Sequence, residues 1–348
     1  MTVPPLALIP LAAAGVLLAI WRPTAAVLLP LVLHASYLVR SAIPFGAFTL
    51  PTTVLELLLG IAVITGLSQW KAISEALRAV PKSVSALVLI FLAAATVSAA
   101  VAPHPRTAGG SWKAFVVEPI LYAVVLLPFL RTPRGRRSVT EALLLGGMVA
   151  TISSLIVGSV TPDFGRLRGI YDVPNSLALI LAPLTVGAFI LATAGEPSTT
   201  RRFARLSLAL FVPTLLLTQS FGGILSVAFA GIFISWRSSL HRRRPADTSE
   251  NDQLSRTSRR TVLSVLALVV IAGLGIQLLT GKFSYAVRRD SSLASRLSIW
   301  GTSLRLIQDR PFRGTGLGTF EPAYQQKLHE ILARSPEFPV REWVVRDP

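Results

Sequence analysis

The sequence predicts an all-α fold: a polytopic transmembrane helical bundle of about ten spanning helices, followed by a mostly helical periplasmic loop. Hydrophobic residues make up 52% of the 348-residue chain and charged residues only 15%, unlike an average soluble domain. Apolar runs recur through residues 1–280, whereas 281–348 is the one long stretch that is not apolar. We therefore expect two regions, a transmembrane helical bundle at 1–280 and a periplasmic loop region at 281–348.

The bundle is predicted from ten apolar segments that are candidates to cross the membrane. They lie near residues 5–20, 24–39, 45–67, 83–102, 115–130, 142–160, 175–194, 206–220, 222–236 and 261–280. A polar, non-periodic stretch at 237–260 is predicted to be a disordered connector between the last two segments.

The basic residues predict how this bundle is oriented. Loops after odd-numbered segments carry 18 arginines and lysines, and short loops after even-numbered segments carry 5. Because short cytoplasmic loops are enriched in basic residues, the first set is predicted to be cytoplasmic and 281–348 to lie outside. The expected location is a bacterial inner membrane, with residues 281–348 on the periplasmic face. Topology also explains the formal net charge of +17, so no nucleic-acid partner is expected.

The outer loop contains the clearest amphipathic pattern. Leu297, Trp300 and Leu304 recur at spacings of three or four, which predicts a helix at about 292–309. A proline and three glycines then predict a turn before a second helix at about 321–333. We expect the first helix to pack on the bundle through its apolar side chains. The alternative is a helical hairpin lying on the membrane surface.

Polar residues on the outer side are the candidates for chemistry. Arg166 and Arg168 precede Asp172 and Asn175 at a helix start, where either Asp172 or Asn175 can cap the helix. The helix N-terminus beside the two arginines could instead bind an anion. Ser220 lies in a turn before two glycines. Glu118 lies about one turn inside a spanning helix, where a carboxylate is costly unless it is paired or hydrated.

No pattern indicates a metal or cofactor site, so neither is expected. The four histidines stand far apart, cysteine is absent, and there is no Walker loop or dinucleotide fingerprint. Gly314–Gly318 reads GxGxG but leads into no strand–helix unit. Glu56 is a second intramembrane carboxylate, without an evident partner in the sequence.

Four patches, in this order, resemble the O-antigen ligase and polymerase superfamily. They are Ser111-Trp112-Lys113-Ala114-Phe115 with Glu118-Pro119; Arg168-Gly169-Ile170-Tyr171 with Pro174-Asn175-Ser176-Leu177-Ala178; Thr218-Gln219-Ser220; and Ser295-Arg296 with Ile299-Trp300, Asp309-Arg310-Pro311 and Gly314–Phe320. The resemblance covers roughly residues 100–325.

The resemblance implies a metal-independent glycosyltransferase of the lipid-linked kind. It would move a glycan from undecaprenyl pyrophosphate to a hydroxyl of a glycolipid, polysaccharide or protein acceptor at the periplasmic face, in contact with membrane lipid. Arg168 and Arg296 would contact the pyrophosphate as catalytic residues, because a guanidinium binds phosphate oxygens bidentately. Glu118, Arg166, Asn175 and Ser220 would be supporting substrate-binding groups.

Two departures from the family pattern keep other classes open. Phe221 follows the Thr-Gln-Ser turn where family members often carry Arg, and the late His-Asn pair of the family is absent before Asp347-Pro348. We therefore expect a chain truncated at its C-terminus. The alternatives are a transporter or flippase for lipid-linked glycans, and a non-catalytic protein that only binds them.

The charge asymmetry makes the topology testable. An alkaline phosphatase reporter fused after Gly281 should be active, because that enzyme requires the periplasm, whereas a fusion within residues 242–260 should be inactive. The reverse pattern of activity would contradict the predicted orientation.

Overall fold

The computed structural model describes residues 2–46, 48–161, 165–193, 197–241, 271–273, 275, 278–279, 292–312 and 314–334. Most of the predicted connector at 237–260, most of the predicted span at 261–280, and residues 281–291 and 335–348 lie outside this part of the chain. Where the structure is described it is mostly helical, as predicted.

The described elements are thirteen helices and two strands. The helices are α1 (Leu8–Trp21), α2 (Pro23–Val32), α3 (Val54–Leu67), α4 (Trp70–Arg78), α5 (Lys82–Ala100), α6 (Pro105–Trp112), α7 (Glu118–Arg131), α8 (Pro133–Val157), α9 (Pro174–Thr193), α10 (Ser198–Leu217), α11 (Phe221–His241), α12 (Ser292–Asp309) and α13 (Phe320–Arg334). The strands are β1 (Arg40–Phe45) and β2 (Phe48–Thr53), and a π-helical turn, Lys113–Val117, joins α6 to α7.

The chain forms two compact units. The first contains residues 1–27, 39–132 and 283–348, and the second contains 28–38 and 133–282. These bounds differ from the division at residue 280, which stays a prediction.

Several helices are suited to a membrane. Among the described residues, four helical spans are long and apolar enough to cross one: α5, the continuous α6–α7 segment Pro105–Arg131, α8 and α9. The pair α3 and α4, bent by 88°, would make a fifth. Shorter apolar helices occupy Pro5–Trp21, Pro23–Val32 and Phe221–Ile234. The protein is thus a multi-pass membrane protein, while the predicted number of ten spans is not confirmed.

The predicted span at 45–67 starts too early. Its first residues belong to an antiparallel hairpin in which β1 pairs with β2, from Phe45 opposite Phe48 to Arg40 opposite Thr53. The segment is apolar enough to resemble a span, but its prolines and Gly46 (φ +59°) disfavour a helix. Thr53 then caps α3 by accepting a hydrogen bond from the Glu56 amide at 3.1 Å.

The core of the second unit lies between α8, α9, α10 and α11. Phe211 and Leu215 of α10 are fully buried against Leu177 and Leu181 of α9. Close approach of α8 depends on Gly147, because a Cβ there would lie 2.7 Å from the Phe211 ring. This packing fixes the ends of α9 and α11, where the candidate site lies.

The two helices predicted in the outer loop are confirmed, but the predicted docking face of the first is wrong. Leu297, Trp300 and Leu304 are each more than half exposed. The buried residues of α12 include Ser298 and Thr302, on its other side. Small side chains let helices approach closely, which is why this face of α12 can be the packed one. The apolar periodicity therefore predicted the helix correctly but indicated the wrong face for packing on protein.

The glycine turn between α12 and α13 attaches this hairpin to the rest of the first unit. The Leu317 amide donates to the Ser98 carbonyl at 3.1 Å, within the last turn of α5, where carbonyls have no helical partner. Gly316 (φ +98°) lies so close to α5 that a Cβ would be 2.7 Å from Ala102 Cα. Gly318 (φ +72°) approaches Ser111 Oγ of α6 in the same way.

We predict that Gly316→Ala loosens the hairpin. The substitution adds a clash with Ala102 to the strain of a left-handed backbone, and should cost about 2–4 kcal/mol. Gly314→Ala is the matched control: its φ is +62° but nothing lies within 4 Å of the added Cβ, so only the strain of roughly 1 kcal/mol applies. Limited proteolysis of full-length protein should cut the α12–α13 region faster in Gly316→Ala than in Gly314→Ala. Equal rates would show that the close approach to Ala102 contributes nothing.

Candidate functional site

A segment of the second unit, residues 158–173 (described at 158–161 and 165–173), covers the turn between α10 and α11. The Leu167 amide donates to the Leu217 carbonyl at 2.9 Å, and Val160 pairs with Leu167 in an isolated antiparallel bridge. Gly169 (φ +62°) sits so close to Ser154 of α8 that no side chain would fit there. The segment is thereby held on α8 and α10.

Arg166 is the central side chain of this site. Its Nε donates to the Thr218 carbonyl at 3.0 Å, and its Nη2 donates to Asn175 Oδ1 at 2.9 Å. Thr218 directly follows α10, and Asn175 lies in the first turn of α9. One half-buried guanidinium therefore joins two helix ends. Burial lowers the pKa of Arg166, but an arginine keeps its charge at neutral pH.

Arg168 is more open than Arg166. Its side chain is exposed, and its Nε donates to Ser159 Oγ at 2.6 Å. Among the described residues, Ser159 is the one hydrogen-bond partner of this guanidinium, and none of them engages its Nη atoms. Asn175 is also exposed and uses its Oδ1 on Arg166.

The Thr-Gln-Ser turn is shaped by internal hydrogen bonds. The Thr218 hydroxyl donates to the Leu215 carbonyl at 2.7 Å and accepts from the Ser220 amide at 3.2 Å. Ser220 is buried, and its Oγ accepts from the Gly223 amide at 3.4 Å, the position of an N-cap for α11. Gln219 has a φ of +49°, the one positive value among described non-glycine residues. Such a backbone conformation is held against its own strain.

These contacts bring two helix N-termini together. Gly223 of α11 packs so closely on α9 that an added Cβ would lie 3.1 Å from the Ala178 Cβ. Helix N-termini carry unpaired amides and partial positive charge, which favour anions. With Arg166 between them and Arg168 alongside, this end of the second unit is suited to bind a phosphate-bearing group.

Glu118 lies in the first unit, in an ion-paired cluster that sequence reasoning missed. Lys113 Nζ lies 2.7 Å from Glu56 Oε2 and 3.3 Å from Glu118 Oε1, and the Thr52 hydroxyl donates to Glu56 at 3.0 Å. The π-helical turn makes this possible, since i→i+5 hydrogen bonding brings Lys113 and Glu118 onto one face. In a regular α-helix, residues five apart would point in different directions.

Arg296 also belongs to the first unit. It lies in the first turns of α12 with an exposed side chain, and the described residues provide no recorded hydrogen bond or ion pair to it. Of the six predicted site residues, the structure brings Arg166 and Asn175 into contact and places Arg168 and Ser220 beside them. In the described part of the chain, no three His, Asp or Glu side chains gather as a metal site would require.

One comparison with known families bears on the function. The family model described as O-antigen ligase matches residues 206–340. This match confirms the resemblance to the O-antigen ligase superfamily and supports a ligase- or polymerase-like role in glycan transfer. No curated protein and no solved structure matches the chain.

The O-antigen ligase match includes Ser220 and Arg296 and spans α11, α12 and α13. Arg166, Arg168, Asn175 and Glu118 precede the matched residues. Sequence reasoning selected Arg166 from charge and position alone, but its acceptor, the Thr218 carbonyl, is a backbone group that no side-chain pattern reveals. No sequence pattern indicates the two carboxylate partners of Lys113.

We predict that Arg166→Lys destabilises the protein. A lysine ammonium cannot reach both the Thr218 carbonyl and Asn175, so one charge-assisted hydrogen bond is lost, at a cost of about 1–3 kcal/mol. The thermal unfolding midpoint of the full-length protein in detergent should fall. Arg168→Lys is the matched control, because the Arg168 side chain is exposed and makes one hydrogen bond. Its free energy of unfolding should stay within about 0.5 kcal/mol of wild type, so its midpoint should hardly change. Equal midpoints for the two variants would contradict the bridging role of Arg166.

Proposed function

We propose that this protein is an O-antigen ligase-like glycosyltransferase that moves a glycan from undecaprenyl pyrophosphate to an acceptor hydroxyl at the periplasmic face of the inner membrane. The observation that carries the proposal is the exposed Arg168 guanidinium beside Arg166 and the N-termini of α9 and α11. The O-antigen ligase match supports glycan transfer in general. The donor, the acceptor and the face are our inference.

The chemistry requires an anion-stabilising site. The acceptor oxygen attacks the anomeric carbon of the glycan, its proton passes to a base, and the bond from that carbon to the diphosphate oxygen breaks. Negative charge grows on the departing undecaprenyl pyrophosphate as this bond breaks. Donors that are already oriented stabilise such charge without rearranging during the reaction.

Arg168 is better suited than Arg166 to bind the diphosphate. Two guanidinium nitrogens of Arg166 already donate to the protein, whereas only Nε of Arg168 does. The Ser159 hydroxyl orients Arg168 through Nε, which leaves the forked Nη pair for two phosphate oxygens. Phe221, where the family often has Arg, is about half exposed at the start of α11 and offers no donor from its side chain. We therefore assign the main diphosphate contact at this end to Arg168. The role that the resemblance implies for Arg296 on α12 stays a prediction.

The proposal predicts a loss of transfer in Arg168→Ala. Losing a charge-assisted contact to the leaving group should raise the barrier by about 2–4 kcal/mol, or roughly a hundredfold in rate. Arg168→Lys should recover only part, because an ammonium lacks the fork. Purified full-length protein is incubated with undecaprenyl-pyrophosphate-linked glycan and a heat-treated membrane extract that supplies acceptors, and released undecaprenyl pyrophosphate is measured by mass spectrometry.

Arg202→Ala serves as the control, since Arg202 is an exposed arginine at the start of α10 and should leave the rate unchanged. Arg296→Ala and Arg296→Lys test the predicted role of Arg296 in the same assay. Wild-type rates in both Arg168 variants would remove Arg168 from the diphosphate site. If the wild-type protein binds the lipid-linked glycan but releases no undecaprenyl pyrophosphate, the protein is a binder or transporter and not a transferase.

A further inference from the structure

A cavity in the first unit has no role in the site described above. It has a volume of about 350 Å³ and lies between the loop that precedes α6, the end of α12, the glycine turn and α13. The polar side chains that line it are His104, Asp309, Arg310, Thr315, Thr319, Gln326, Lys327 and Glu330. Its size is in the range of small-ligand pockets.

We propose that this cavity binds a sugar ring of the glycan that the protein transfers or extends. The inference rests on the proposed function, which it deepens by giving the carbohydrate its own binding site in the first unit. Asp309, Arg310, Thr315 and Thr319 of the lining lie in the patches that resemble the family, but the resemblance assigned a role to none of them.

The charged side chains that line the cavity balance one another. Arg310 and Lys327 are balanced by Asp309 and Glu330, so the lining carries no net formal charge with His104 neutral. A diphosphate would face two carboxylates here, which disfavours it. A largely neutral, polar ligand is the class that this lining accommodates.

The cavity lining contains both hydrogen-bond donors and hydrogen-bond acceptors. Arg310 and Lys327 only donate, Asp309 and Glu330 only accept, and the hydroxyl and amide groups do both. A sugar hydroxyl also donates and accepts, so a ring with several hydroxyls can satisfy both kinds of partner. Pro103, Leu306, Pro322 and Ala323 complete the lining and provide an apolar surface for the C–H face of a ring.

Ion pairs fix one part of the cavity lining, whereas two polar side chains of the lining form no such pairs. Lys327 Nζ lies 2.7 Å from Asp309 and 3.0 Å from Glu330, which ties the end of α12 to α13. These hydrogen bonds raise the pKa of Lys327, so the ammonium stays charged. Gln326 and the Arg310 guanidinium are exposed and form no side-chain hydrogen bond or ion pair with the described residues. They are the groups left to bind a ligand.

The experiment measures carbohydrate binding without requiring transfer. Full-length protein in a phosphocholine detergent, which carries no sugar headgroup, is examined by saturation-transfer NMR with methyl glycosides of a hexose, an N-acetylhexosamine and a hexuronic acid. At least one glycoside should receive saturation from the wild-type protein. Binding should weaken about tenfold in Gln326→Ala and in Arg310→Ala, because each variant removes donors from the cavity.

Two matched variants control for nonspecific effects. Leu304→Ala and His329→Ala change exposed residues of the same two helices that line neither this cavity nor the adjoining pocket at Asp309, Lys327 and Glu330, and should bind as wild type does. The inference is overturned if no glycoside binds the wild-type protein, if both cavity variants bind normally, or if the controls lose binding to the same extent. A hexuronic acid that depends more on Arg310 than on Gln326 would support an acidic sugar.

The result is separable from the proposed function. Transfer activity without glycoside binding overturns this cavity and leaves the transferase intact, whereas glycoside binding without transfer overturns the transferase and supports the cavity. In an active preparation, Gln326→Ala distinguishes the source of the sugar. A higher KM for the lipid-linked donor assigns the ring to the donor glycan, and a higher KM for the acceptor assigns it to the acceptor.

Discussion

The last carbonyls of an α-helix have no partner within the helix, and in an apolar chain they must find donors within the protein. Two described loops supply such donors. The Leu317 amide binds the Ser98 carbonyl at the end of α5, and Leu167 and Arg166 bind the carbonyls of Leu217 and Thr218 at the end of α10. These hydrogen bonds attach the α12–α13 hairpin to α5 and the 158–173 segment to α10.

The same requirement divides the polar side chains between structure and ligand binding. The Arg166 guanidinium donates to a carbonyl and to Asn175. Arg168, two residues later, makes one side-chain hydrogen bond and is exposed. Lys113 is shared between Glu56 and Glu118. In the cavity beside α12 and α13, Lys327 is likewise shared between two carboxylates, whereas Arg310 and Gln326 are not so engaged. Groups that stabilise the fold therefore lie next to groups that are available to a substrate.

Local signals in the sequence were reliable where a residue type restricts the backbone. Pro311 and the three glycines placed the end of α12 and the start of α13 to within a residue or two of the structure. Hydropathy was less reliable, because it sums side chains and ignores the backbone. It extended a predicted span into the β1–β2 hairpin. It also indicated the wrong face of α12, since the apolar stripe of a membrane protein need not be the face that packs on protein.

The sequence by itself determined a mostly helical membrane protein, the helices α12 and α13, the O-antigen ligase resemblance and the candidate residues Arg166, Arg168, Asn175 and Ser220. Those features follow from composition, periodicity and residue types that are visible along the chain. Only the tertiary structure decided which polar groups are paired, because Lys113 meets Glu56 across 57 positions and Arg166 meets a backbone carbonyl 52 positions away. A π-helical turn and the close approach of Gly316 to Ala102 are likewise three-dimensional facts. Pairing depends on distance in space, which the order of residues does not give.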